Sequence, residues 1–169
     1  MIRSIPSRHV TILGNDFLPV LLDALEGAIY KIWIYTPFWA IDPRPKNGNY
    51  DPIIIHLASL AFRRSGMVQL ILQNPVPKSP TYLESFFVLN LLTVAGYLVR
   101  LLPICNSPRI SVISIDKTHL FLCGHLPAAA RYFSSNDLSV CLHDTSLIEE
   151  FDYYFSMWLQ SCPIYHINS

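Results

Sequence analysis

The sequence predicts one α/β domain, a central mixed sheet flanked by helices on both faces. Amphipathic helical stripes alternate with short, continuously apolar runs along the chain, and glycines punctuate the helix-to-strand passages. Size agrees: 169 residues can bury roughly 70% of their unfolded surface around one core. No internal repeat or long linker divides residues 1–169, so they read as a single unit.

Each element has a local reason. Asn15-Asp16 is placed to cap a first helix with the stripe Phe17, Val20, Leu21, Ala24 and Leu25, and Gly27 to end it. Ala28 to Trp39 reads as a buried strand dense in Tyr30, Ile32, Trp33, Ile34 and Tyr35. A polar loop from Asp42 to Asn49 leads to Asp51-Pro52, which opens a second helix along Ile54, Leu57, Ala58 and Ala61. Ser65-Gly66 stops it, and Met67 to Gln73 is the next apolar strand.

Beyond a loop with Pro75, Pro77 and Pro80, Thr81-x-x-Glu84 is a capping box for a third helix, closed by Gly96. Tyr97 to Leu102 and Arg109 to Asp116 read as strands joined by a turn over Pro103 to Pro108. Asp116-Lys117 makes a tight return into His119 to Cys123. A small-residue loop from Pro127 to Ala130 precedes a strand over Leu138 to Leu142. The final helix carries Ile148, Phe151, Phe155, Trp158 and Leu159, with Ser146 and Glu149 as its expected capping box.

Composition narrows the function. Hydrophobic residues make up 51% and charged residues 14%, well below the charge of an average soluble domain. Apolar surface of that extent is expected to be covered by a second copy or another protein. The 12 basic and 12 acidic residues cancel, and the cations are dispersed, so no basic face marks a free-standing nucleic-acid binder. The adjacent pair Arg63-Arg64 sits where a helix ends and complements its dipole.

No uninterrupted apolar run is long enough for a membrane span, and the first 25 residues lack a signal-peptide core. Cys105, Cys123, Cys141 and Cys162 form no zinc-type spacing and read as reduced thiols. The expected location is therefore intracellular, in the cytoplasm, and no cofactor or metal is expected.

The most specific stretch is Arg109-Ile110-Ser111-Val112-Ile113-Ser114-Ile115-Asp116, followed by Phe121-Leu122-Cys123-Gly124. It resembles the C-terminal core of the phospholipase D superfamily, which writes His-x-Lys, four residues, then Asp, and follows with Gly-Ser-x-Asn. Further passages resemble the same family in order: Tyr35-Thr36-Pro37-Phe38, Leu60 to Val68, Leu92 to Arg100, Asn136 to Val140, and Asp144 to Trp158. The resemblance spans about residues 13–161 and implies a phospholipase D-like domain with Asp116 and Gly124 at one rim of the mixed sheet.

Aligned on Asp116 and Gly124, the family's His and Lys positions hold Arg109 and Ser111, and its Ser and Asn positions hold His125 and Pro127. In active members of the family the His attacks phosphorus, the Lys and Asn hold phosphate oxygens, and a second His protonates the leaving group. Single-motif chains form a twofold dimer with the site on the axis. Arg109 stays protonated and can grip a phosphate, but it supplies neither a nucleophile nor a matched acid. The remnant site is thus Arg109, Ser111, Asp116, Gly124 and His125, without a catalytic residue.

The resemblance with these losses implies a catalytically degenerate phospholipase D-like domain. It would act as a homodimer or hetero-complex, a binding or scaffold subunit that reaches nucleic acid through a processing assembly. The alternative is an active, metal-independent phosphodiesterase or nuclease that uses a displaced His125 or an intact partner chain. An unrelated α/β interaction module is the third class.

Other residues carry weaker signals. His119 reads as a satisfied strand histidine, His143 as part of a helix start, and His56 as half-exposed on the second helix. No His-x-x-x-His or His-Glu-x-x-His pattern points to a metal. Trp33, Tyr35, Phe38 and Trp39 fit core packing, whereas Tyr153, Tyr154, Phe155 and Trp158 spread beyond one face of the last helix, as at an interface.

Overall fold

A seven-stranded mixed sheet, in the order β1-β9-β7-β6-β2-β4-β5, organises the chain. The computed structural model describes residues 10–13, 16–37, 39–40, 52–64, 67–79, 82–103, 108–124, 126–127 and 139–167. The sheet strands are β1 (Val10–Ile12), β2 (Ile32–Thr36), β4 (Val68–Gln73), β5 (Val99–Leu102), β6 (Ser111–Ile115), β7 (His119–Cys123) and β9 (Val140–Leu142). Two further two-residue strands, β3 (Trp39–Ala40) and β8 (Leu126–Pro127), pair with each other in parallel. The helices are α1 (Phe17–Gly27), α2 (Pro52–Arg64), α3 (Tyr82–Val94) and α4 (Thr145–Ser161).

β2, β4 and β5 run parallel because helices carry the chain back between them. β6, β7, β9 and β1 join the other side in antiparallel pairs, the first two through the tight return at residues 116–118. One face of the sheet packs against α1, α2 and α3 through Phe17, Leu21, Ile53, Leu57, Val88 and Leu92. The other face packs against α4 through Ile148 and Phe155, which meet Tyr35, Val112 and Leu120. Helices therefore cover both faces, as the alternating pattern predicts.

Several boundaries differ from expectation. The strand expected from Ala28 begins at Ile32, because the backbone of residues 29–31 turns its amides to the Asp116 carboxylate. β1 was not foreseen; three residues exposed along their whole length leave no periodic signal. Asp16 adjoins α1 but makes no side-chain capping bond. At α4 the cap is Asp144, not Ser146: its carboxylate accepts from the amides of Ser146 and Leu147 at 3.0 and 3.2 Å. The expected caps Asn15, Asp51 and Thr81 lie outside the described residues.

The end of α3 follows its sequence closely. Gly96 sits at φ +93, where the amide of Tyr97 reaches the Leu92 carbonyl and that of Gly96 the Thr93 carbonyl, at 3.1 and 3.0 Å. That is a Schellman closure, which needs a residue without a Cβ penalty at positive φ. At the sheet edge, Leu101 donates to the Pro163 carbonyl and Tyr165 to the Val99 carbonyl, so the segment after α4 covers β5.

Candidate functional site

β6 is a fully buried strand, and alternate side chains face opposite layers. Ser111, Ile113 and Ile115 turn to the face of α1–α3, while Val112 and Ser114 turn to α4. At its start, Ser111 Oγ lies 2.7 Å from Thr36 Oγ1 at the end of β2, and both side chains are fully buried. Across the ladder Ser111 pairs with Cys123, so the following Gly124 stands beside the start of β6.

Arg109 precedes β6 and is exposed at the same rim. Tyr35 fixes the approach: its hydroxyl donates to the Pro108 carbonyl at 2.7 Å, and its ring leans on Trp158. This rim lies at the carboxyl ends of β2, β4 and β5, where open α/β sheets place their ligand sites. The structure thus brings Arg109, Ser111 and Gly124 together. His125 lies outside the described residues.

Asp116 is not part of that group. It follows the last residue of β6, whereas Gly124 adjoins its first, so about 16 Å of extended strand separates them. The expectation of a shared rim is therefore corrected: a five-residue strand carries its two ends to opposite sides of the sheet. Asp116 sits at φ 50 in the return, and its carboxylate accepts from the amides of Ile29, Tyr30 and Lys31 at 3.1, 2.8 and 2.9 Å. Its place is architectural, since it ties the β6–β7 turn to the start of β2.

Around Asp116 lies a polar cluster that sequence reasoning missed. The Lys31 ammonium pairs with Asp152 and donates to Ser114 Oγ at 2.8 Å, and Ser114 donates to the other Asp152 oxygen at 3.0 Å. The ammonium also lies 4.8 Å from the Trp33 ring, which stacks on Phe155. Burial draws the Lys31 pKa below its usual value, against the Asp152 partner that holds it up. These groups border a cleft of about 650 Å³ that also includes Ile29, Tyr30 and Lys117. The available signal was a lone lysine entering an apolar strand, matched by an acid between Ile148 and Phe155 on the inner side of α4.

His119 also belongs to this second rim, at the end of β7 remote from Gly124. Its Nδ1 meets Thr118 Oγ1 at 2.8 Å, and its ring stands edge-on to His143 at 4.8 Å. Burial, then the neighbouring His143, hold its pKa below the ordinary range. Cys123, Cys141 and Cys162 are buried, and no disulfide joins them among the described residues. Among the described residues no cluster of His, Cys, Asp or Glu could hold a metal, and no helix is long and apolar enough to cross a membrane.

No family model and no curated protein sequence matches this chain. Solved structures do match. NucT from Helicobacter pylori is 18% identical over 94% of this chain and 99% of its own, with a TM-score of 0.64. Nuc from Salmonella typhimurium, a phospholipase D family member, is 16% identical over 95% and 100%, also at 0.64. This chain has the phospholipase D-like fold. Phosphatidylserine synthase from Haemophilus influenzae shares it at a TM-score of 0.59 and 15% identity, with 97% of this chain matched to 41% of that one. On this fold, the rim of Arg109, Ser111 and Gly124 is the candidate site.

Proposed function

We propose that the chain is a catalytically silent phospholipase D-like subunit that works by binding, as a dimer or within a larger nucleic-acid-processing assembly. The observation that carries this reading is the sealed hydroxyl pair of Ser111 and Thr36. Where the family resemblance calls for a phosphate-holding ammonium, the chain has a short neutral side chain buried against its neighbour. Arg109, where the resemblance calls for the nucleophile, is a permanent cation. An exposed guanidinium at the ligand rim still grips an anion, so recognition of phosphate outlasts the loss of attack.

The composition supports the assembly half of the reading, because a chain only 14% charged leaves apolar surface for a partner. The test is hydrolysis of bis(p-nitrophenyl) phosphate and of DNA by the purified chain, with and without chelator. No turnover is expected. Metal-independent turnover that disappears in His125→Ala overturns the proposal. Turnover that needs a co-expressed intact chain and is lost in Arg109→Ala establishes the alternative, a site shared with a partner.

A further inference from the structure

The cleft of about 650 Å³ at the rim remote from Arg109 has no part in the site described above. Its outer wall is apolar and open. Ile29 and Tyr30 are 58% and 80% exposed, although the amide of each is tied to the Asp116 carboxylate. Trp33 lines it as well, and Lys31 and Asp152 reach it with 13% and 18% of their side chains exposed. Two oxygen partners, Asp152 and Ser114, hold the Lys31 ammonium 4.8 Å from the Trp33 ring. An ion pair enclosed in an apolar layer adds little stability that two apolar residues would not supply. What this pair does supply is a lysine fixed beside its own proton carrier, at the edge of a cavity of ligand size.

We propose that Lys31 is a nucleophile that captures a neutral aldehyde or ketone in this cleft as an imine, with Asp152 carrying the protons. The charges around the ammonium select the ligand class. Lys31 and Lys117 are offset by Asp116 and Asp152, and Glu149 lies 3.4 Å from Lys117, so an anion meets no net positive field. A cation would set a second positive charge against Lys31. An uncharged carbonyl compound meets neither obstacle, and its apolar body packs on Ile29 and Tyr30. Burial favours the free amine, joined by Lys117 and opposed by Asp152 and Asp116.

The step balances without an outside reagent. Lys31 gives a proton to Asp152, and its lone pair attacks the carbonyl carbon, forming C–N as the C=O pair moves to oxygen. The Asp152 proton passes to that oxygen, and Asp152 then takes a proton from nitrogen. Returned to the hydroxyl, this proton carries it off as water while C=N forms. The protonated imine keeps the positive charge of the ammonium, so its pairing with Asp152 survives.

This inference goes beyond the proposed function, because the cleft and the Arg109 rim lie at opposite ends of β6. The probe is benzaldehyde, added to the full chain and trapped with cyanoborohydride, and each lysine is mapped by peptide mass. Lys31 is expected to label on the order of tenfold faster than the exposed Lys78 and Lys117, and to be protected by benzyl alcohol. Asp152→Asn is expected to slow Lys31 on the order of tenfold, with part of the rate restored by added acetate, and to leave Lys78 and Lys117 unchanged. Lys31→Arg keeps a cation for Asp152, and is expected to stay folded by circular dichroism and to lose only the label at position 31. Labelling of Lys31 no faster than Lys78 and Lys117 overturns the proposal. So does a lack of protection by benzyl alcohol, or wild-type labelling of Lys31 in Asp152→Asn. Diester hydrolysis would end the silent reading and leave the Lys31 label in place, so the two readings fail separately.

Discussion

Ser111 and Thr36 close on each other inside the sheet, their hydroxyl oxygens 2.7 Å apart and neither side chain open to solvent. The pair joins the start of β6 to the end of β2 at the rim where the fold places ligands. Thr36→Val removes one partner and orphans the buried Ser111 hydroxyl, an expected loss of about 1–2 kcal/mol. Adding Ser111→Ala relieves that penalty, so the double variant costs about 0.5–1 kcal/mol less than the sum of the two singles. Urea unfolding of the four proteins measures the coupling; strict additivity would show that the hydroxyls do not interact.

Asp116 is predicted to matter for folding rather than for chemistry. Asp116→Ala frees three amides and leaves at φ 50 a side chain that tolerates the left-handed region less well than Asp, an expected cost of about 2 kcal/mol or more. Asp116→Asn keeps one acceptor and tolerates the left-handed region, so it should cost about half as much. Thermal or urea unfolding separates the two, and equal losses would contradict the amide-binding account.

The Lys31–Asp152 pair sits in the α4 face with little exposure on either side chain. Lys31→Met strands a mostly buried carboxylate with only Ser114 to donate to it, and is expected to cost about 3 kcal/mol. Replacing both residues, as Lys31→Met with Asp152→Leu, is expected to return most of that loss, within about 1 kcal/mol of wild type. Denaturant midpoints decide it. A double variant as unstable as the single would mean that the pair is irreplaceable.

Alkaline pH should weaken the fold in a defined window. Burial pushes the Cys141 thiol up to about 11 from 9.0 and the Tyr97 phenol, which donates to the Leu57 carbonyl, up to about 12 from 10.0. Over that interval the unfolded chain loses protons that the folded chain keeps. Their contribution is thus full below pH 9 and is lost as pH rises to 11 for the thiol and 12 for the phenol. Lys31 has the opposite sign, because its lowered pKa makes the unfolded chain the better proton binder up to pH 10.5. Tyr97→Phe leaves the other two in place, so its stability should fall less steeply than wild type between pH 10 and 12, by about 2 kcal/mol over the window. Parallel curves would contradict the assignment.

Much of the architecture was legible because burial imposes periods. The stripe Phe17, Leu21, Leu25 and the run Val68 to Leu72 could only be a one-sided helix and a two-sided strand. What escaped was set by long-range polar contacts. Asp116 shortens β2 from a position 85 residues away at its Lys31 contact, and no local pattern records that. Asp144 outcompetes Ser146 at α4 because its carboxylate reaches two amides at once. Lys31 and Asp152 are 121 residues apart and look like ordinary surface charges until the sheet and α4 meet. For the expected remnant site, what escaped was the distribution: five extended residues separate Asp116 from the rim that holds Arg109 and Gly124.

The most direct test of catalytic silence looks for the covalent intermediate itself. The purified chain is incubated with a phosphodiester, quenched in alkali to preserve phosphohistidine, and each histidine peptide is mapped by mass. The account predicts unmodified imidazoles throughout. A phosphoryl group on His125, or on any other histidine of the isolated chain, would contradict it.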